Sequence, residues 1–238
     1  MATFVLVHGG FHGGWCWRRV APPLRAAGHA VYTPTLTGLG ERAHLATPAT
    51  GLDTHIRDVL GVLAFEELRD VVLVGHSMAG TVITGVAERD PARLAHLVFF
   101  DATVPRDGES DLDSHEEIRG DARAAFEARA GRDGLLAPRL RPHLFGVDAA
   151  ADSAWVNGKL TPHPIKAFTD PVTVTDAGRF AGRRTYIYCA VGDIAPWAAR
   201  MVARVRAEPG WRYRELATGH DAMITAPREV AALLLELA

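Results

Sequence analysis

Val71-Val72-Leu73-Val74-Gly75-His76-Ser77-Met78-Ala79-Gly80 decides how this chain is read. Four apolar residues, three of them β-branched, run into glycine, histidine and serine, and a small-residue stretch able to form a helix, 79–87, follows at once. The pattern predicts a strand, a tight bend and a helix, with a serine at the bend. Such a bend pushes the hydroxyl of Ser77 out over the sheet edge, and small neighbours leave the backbone room. The helix behind it aims its unpaired N–H groups at the serine, where negative charge develops during acyl transfer. The pentapeptide is Gly-x-Ser-x-Ala where Gly-x-Ser-x-Gly is usual, and Gly80 comes next. A structural serine in a buried turn fits these five residues too, so the decision rests on what surrounds them.

Similar strand-like runs recur on both sides. Phe4-Val5-Leu6-Val7 is continuously apolar, as suits a strand covered on both faces, and runs into His8-Gly9-Gly10-Phe11-His12-Gly13-Gly14. A helical stripe of Trp17, Val20 and Leu24 follows, then a strand at Ala30-Val31-Tyr32. Ile56, Val59, Leu60 and Leu63 mark a helix opening near Asp53. Beyond the serine, Leu97-Val98-Phe99-Phe100 reads as a strand ending at Asp101, and 185–191 as one ending at Gly192-Asp193. A helix with Trp197, Met201, Val202 and Val205, a strand at 211–216 ending at Thr218-Gly219-His220, and a closing helix with Val230, Leu233, Leu234 and Leu237 complete the chain. Alternating strands and helices predict an α/β fold: a mostly parallel sheet of about six strands with helices on both faces. The stretch 105–183 breaks the pattern, with prolines at 138, 142, 162, 164 and 171 and a capping-box signature at Ser114-His115-Glu116-Glu117 that predicts a helix towards Arg129. The expected organisation is a core of 1–104 and 184–238 with a helical cap inserted at 105–183.

In an open parallel sheet the ligand site lies beyond the carboxyl ends of the strands. Ser77, Asp193, His220 and the Gly9-Gly10 loop all fall just after strands, so four separated segments converge on one edge. A serine hydroxyl is a weak nucleophile and needs a base. His220, with an ordinary imidazole pKa of about 6.5, can take its proton near neutral pH and return it to a leaving alcohol. Asp193 is the expected partner that fixes the ring's tautomer; Asp101, which also ends a strand, is the competing acid. The backbone N–H groups of Gly10 and Met78 are the expected oxyanion donors. Phe11, Phe145, Trp155 and Phe168 are the expected pocket walls, although the last three suit a cap core equally. His8, His12 and His76 invite a metal reading, but no acidic or thiol cluster accompanies them, so no metal and no cofactor are expected.

Composition narrows the partners. The 238 residues carry 26 basic and 28 acidic side chains, a formal charge of −2, with no basic excess for nucleic acid. No apolar run approaches the roughly 18 residues of a membrane span. Cys16 and Cys189 are isolated, which fits a reducing compartment, and no signal-peptide pattern opens the chain, so the expected location is the cytoplasm. The expected partner is a small-molecule ester, and the expected assembly, if any, a homodimer.

The run FVLVHGGFHGGWCW at 4–17, VVLVGHSMAG at 71–80 and the tail ATGHDAMITAPREVAALLLEL at 217–237 resemble the plant methyl esterase and hydroxynitrile lyase branch of the α/β-hydrolases. The likeness covers both ends and the centre, and the cap only loosely. It implies Ser77, Asp193 and His220 as triad, Gly10 and Met78 as oxyanion donors, the chain order Ser, Asp, His of that superfamily, and a six-stranded sheet. Two places depart from the lyases, which carry threonine after the strand-1 histidine and lysine after the catalytic histidine; here stand Gly9 and Asp221. An acid cannot supply the positive charge that a departing cyanide needs, so ester hydrolysis through an acyl-enzyme is the favoured expectation. A cofactor-free lyase or cyclase on a polyketide-like substrate, and a non-catalytic binding protein, are the alternatives. Dehalogenase and epoxide hydrolase chemistry would need an aspartate where Ser77 stands.

Overall fold

The computed structural model describes residues 1–115, 120–138, 142–175, 180 and 182–238. Six strands form one parallel sheet in the order β2-β1-β3-β4-β7-β8: β1 (Thr3–Val7), β2 (Ala30–Tyr32), β3 (Val71–His76), β4 (Leu94–Phe100), β7 (Arg183–Cys189) and β8 (Trp211–Leu216). The order steps outward in both directions from β1 and β3. The chain therefore reverses its winding there, and the crevice above that point receives the loops after both strands. The sheet predicted from the alternation of apolar runs is the one observed.

Side-chain alternation divides the core in two. Val5, Val7, Leu73, Leu97 and Phe99 face one side, where they pack with α2 (Leu52–Phe65), α3 (Ala79–Arg89) and α7 (Ala195–Arg206). Phe4, Leu6, Val72, Val74, Val98 and Phe100 face the other, against α1 (Ala21–Ala26) and α9 (Pro227–Leu235). Because both faces are covered, β3 is buried at every position from Val71 to His76. Each such aliphatic or aromatic side chain contributes roughly 1.5–3 kcal/mol on burial. β8, at the edge, alternates exposed Arg212, Arg214 and Glu215 with half-buried Trp211, Tyr213 and Leu216, a charged border that discourages pairing with another sheet.

Between β4 and β7 lie α4 (Asp121–Glu127), α5 (Ala150–Asn157), α6 (Lys166–Thr169) and a two-residue antiparallel ladder of β5 (Leu135–Leu136) with β6 (His163–Pro164). Of the capping box expected at Ser114 to Glu117, Ser114 ends a single 3-10 turn (Leu112–Ser114), and positions 116 and 117 lie outside the described residues. A one-turn helix, α8 (Ala222–Thr225), follows β8 and precedes α9. Among the described residues no helix is long and apolar enough to cross a membrane.

Candidate active site

At the end of β3 the chain turns within one residue. Ser77 holds a φ of +56°, a left-handed conformation that serine adopts only when its surroundings impose it. Glycines make the imposition possible. A Cβ on Gly75 would stand 2.8 Å from the Ala79 carbonyl oxygen, and one on Gly80 would overlap the Thr103 carbonyl. A Cβ on Gly9 would stand 2.8 Å from both His76 Nδ1 and Ser77 Cβ. The bend is tied down by two N–H groups, of Gly80 and Thr103, that both donate to the Ser77 carbonyl at 3.1 Å. Sequence and structure agree on this bend to the residue.

His220 follows β8 and is 4% exposed. Its backbone carbonyl accepts from His76 Nε2 at 3.1 Å, and the two rings lie 4.5 Å apart, so the imidazole is held beside the serine bend. Its Nδ1 meets Asp101 Oδ2 at 2.6 Å. Asp101 is fully buried at the end of β4, with a φ of +44°, and its other oxygen accepts the Cys189 N–H at 3.0 Å. The expected acid Asp193 does not occupy this position. It is exposed on the turn after β7, behind Gly192 at a φ of +95°. β4 lies beside β3, and β7 lies between β4 and β8, the strand that leads to His220. The carboxylate that meets His220 is the one at the end of β4.

Ser77 and His220 share one cavity of about 210 Å³, whose walls include Gly10, Phe11, Met78, Phe126, Phe145, Phe168 and Trp197. Three of the four expected wall residues, Phe11, Phe145 and Phe168, are there. Trp155 is not: it packs edge-on against Trp15 with ring centres 5.3 Å apart, beneath the guanidinium of Arg19. Trp197 and Phe126 had no signal in the sequence beyond being aromatic on helical stretches. Among the described residues the N–H groups of Gly10 and Met78 have no hydrogen-bond partner. The loop carrying Gly10 is pinned from the β5–β6 segment: His163 Nδ1 accepts the Phe11 N–H at 2.9 Å, and Thr161 donates to the Phe11 carbonyl at 3.1 Å.

The buried histidines fall into two electrostatic classes. His12 places Nδ1 2.8 Å from the Gly10 carbonyl and Nε2 3.3 Å from Asp221 Oδ2. Two acceptors facing both ring nitrogens call for the doubly protonated ring. Burial opposes that charge, but Asp221 outweighs it and the His12 pKa is raised. Asp221 in turn is lowered: burial works against its charge, and the His12 charge prevails. His8, by contrast, is lowered to about 3, mainly by burial, and burial also holds His55, His76 and His163 below their ordinary value. His8 accepts the Leu36 N–H on Nε2 at 3.1 Å and faces the Gly9 carbonyl through Nδ1. Among the described residues no group of three or more His, Cys, Asp or Glu is placed to hold a metal.

A serine on a left-handed strand-to-helix turn and a histidine with a buried carboxylate behind it thus meet at the C-terminal edge of a parallel sheet flanked by helices. The family model of the alpha/beta hydrolases matches residues 4–233, and the chain belongs to that family. Over 248 residues it is 42% identical to the carbendazim hydrolyzing esterase of a Nocardioides species, covering 100% of both chains. It is 27% identical to methylesterase 10 of Arabidopsis thaliana, over 99% of this chain and 91% of that one. Among solved structures, an extracellular alpha/beta-hydrolase from a Paenibacillus species superposes with a TM-score of 0.85 at 24% identity, over 99% of this chain and 98% of the other. A methylesterase from Arabidopsis gives 0.79 at 23%, over 100% and 98%.

Proposed function

We propose that the chain is a serine carboxylic-ester hydrolase acting on a small, largely apolar or aromatic ester through Ser77, His220 and Asp101. The observation that carries this reading is the buried 2.6 Å contact of His220 Nδ1 with Asp101 Oδ2, set beside a serine on a left-handed turn. With Nδ1–H committed to Asp101, Nε2 is the nitrogen left to take a proton. Ser77 Oγ attacks the ester carbonyl as its proton passes to His220, and the tetrahedral oxyanion is received by the free N–H groups of Gly10 and Met78. Each such donor is worth roughly 3 kcal/mol of barrier. His220 then protonates the departing alcohol, an acyl-enzyme remains, and a water deprotonated by His220 releases the acid. Asp101 stabilises the imidazolium in both halves, and its second oxygen, occupied by the Cys189 N–H, cannot swing away.

The two places that differ from the lyases support hydrolysis. Gly9 leaves no room for a threonine, since even a Cβ there would press on His76 and Ser77. Asp221 is engaged with His12 and puts negative charge, not positive, next to the catalytic histidine. The carbendazim hydrolyzing esterase and the plant methylesterases among its relatives point the same way. The test is a panel of short-chain aryl and methyl esters, carbendazim included, with products identified by mass spectrometry. Free acid and alcohol are expected; a rearranged carbon skeleton would favour a lyase or cyclase. Labelling by an organophosphonate should fall on Ser77 and vanish in His220→Ala; undiminished turnover by Ser77→Ala would refute the mechanism.

A further inference from the structure

One wall of the cavity does not match its apolar surroundings. Asp111 lines it, yet is only 3% exposed. Its Oδ1 accepts a 2.5 Å hydrogen bond from Thr103 Oγ1. Thr103 is the residue whose N–H holds the Ser77 carbonyl, so a single residue links this carboxylate to the nucleophile turn. Oδ2 is different. Its nearest described partner is His115 Nε2 at 3.8 Å, beyond hydrogen-bond range, and among the described residues no hydrogen bond reaches it. His115 itself lies flat on Trp197, ring centres 5.1 Å apart and planes within 8°, and Trp197 stands edge-on to His220 at 6.2 Å. An aromatic shelf therefore runs from the catalytic histidine to the carboxylate.

A carboxylate oxygen that faces an apolar cavity without a donor from its neighbours favours an occupant that brings one. Burial already pushes the Asp111 carboxyl above its ordinary value, with His115 opposing. The apolar wall residues Leu112, Phe126, Phe168 and Ile194 carry no donor, and His115 stands too far off for a hydrogen bond. An occupant with its own donor completes the pairing. Resting on the esterase reading, we propose that Asp111 is a specificity residue and that the preferred ester carries an N–H donor on its aromatic part, a ring N–H or an arylamine, which Asp111 Oδ2 accepts while the ring lies along Trp197. A site built to pair a polar group discriminates strongly against the analogue that lacks it, because its own buried group is then left unpaired.

The experiment compares methyl indole-carboxylates with their N-methyl and benzofuran isosteres, which keep the ester and the ring shape but not the donor. The wild-type protein should favour the N–H ester by at least about tenfold in kcat/KM, and Asp111→Asn, which turns the free acceptor into an amide donor, should bring that ratio near one or invert it. An equal rate on donor and isostere in the wild type would overturn the proposal, as would an unchanged ratio in Asp111→Asn. Calorimetric titration of Ser77→Ala with the matching methyl ketones reads the same preference without turnover. A donor preference in binding with no hydrolysis by the wild type would remove the esterase reading and keep Asp111 as the recognition group; equal binding of both ketones would remove the Asp111 proposal whatever the fate of the ester.

Discussion

The ends of β4 and β7 are near twins in sequence: each is an apolar strand that runs into an aspartate. The fold treats them in opposite ways. At the end of β4 the chain turns inward at Asp101, whose N–H donates to the Ile187 carbonyl at 2.7 Å while its carboxylate bridges Cys189 and His220. At the end of β7 the chain runs on through Val191, Gly192 and Asp193, all three exposed. Both aspartates end strands at the edge of the sheet where Ser77 lies, and what separates them is burial and pairing. Asp101 is fully buried against His220 and Asp193 is exposed, and a charge pair is stronger where water is excluded. A strand's place in the sheet is decided by pairings between distant segments, which the local alternation of residues does not encode.

The comparison is broken most directly by exchanging amides for acids at both ends. Asp101→Asn should lower kcat about 10³- to 10⁴-fold, because the amide favours the wrong tautomer of His220. Asp193→Asn should leave kcat/KM within about twofold on the same aryl ester. The reverse outcome would return the catalytic acid to β7.

A second contrast lies within the buried rim. His220 and Asp221 are consecutive, yet each pairs with a different strand end, His220 with Asp101 after β4 and Asp221 with His12 after β1. Removing half of a buried pair strands the other half, so Asp221→Asn should destabilise the fold by about 3–5 kcal/mol. The lowered pKa of Asp221 means that its contribution is complete above the ordinary carboxylate value of about 3.9 and is lost as pH falls through the folded value. The raised pKa of His12 means that its contribution is complete below about 6.5 and is lost as pH rises through the folded value. Urea unfolding of both proteins across pH should show the widest gap from about pH 4 to 6.5, narrowing on the alkaline side. A gap that keeps growing above that range would mean that His12 carries no proton for Asp221.

Much of this was readable from the residues alone. The six strands, the bend at Ser77 and the arrival of His220 at the same edge all follow from local signals: apolar runs with β-branched residues, glycines flanking a serine, a Thr-Gly-His after the last strand. Phe11, Phe145 and Phe168 were found because they adjoin the glycine loop or sit in the stretch that has to cover it. Two strand ends offered an aspartate, and the structure sets Asp101, not the expected Asp193, against His220; the burial that separates them comes from contacts distant in sequence. Trp155 was misplaced for a related reason: an aromatic in the covering segment faces either the cavity or the core, and Trp15 and Arg19, far away in sequence, decide which. Asp111 gave no signal at all, since an acid in a proline-broken stretch reads as solvated surface until its burial is seen.

The smallest of these effects separates the buried rim from the exposed one by its protons. His8, His55, His76 and His163 all have their pKa lowered, chiefly by burial. Below about pH 6.5 the unfolded chain takes up protons at these four positions that the folded chain refuses. Stability is therefore present at neutral pH and declines as pH falls, by at most about 1.4 kcal/mol per pH unit for each such histidine. Acid unfolding should thus begin well above the carboxylate range. His55 isolates one member of the set: its Nε2 faces the Thr37 carbonyl at 3.0 Å, its Nδ1 is buried without a partner, and it lies outside the cavity wall. His55→Leu should lower absolute stability through the lost Thr37 bond. The more telling readout is the slope of stability against pH between 6 and 5, which should fall, by at most about 1.4 kcal/mol per unit. An unchanged slope would mean that His55 is as free to take up a proton in the folded chain as in the unfolded one.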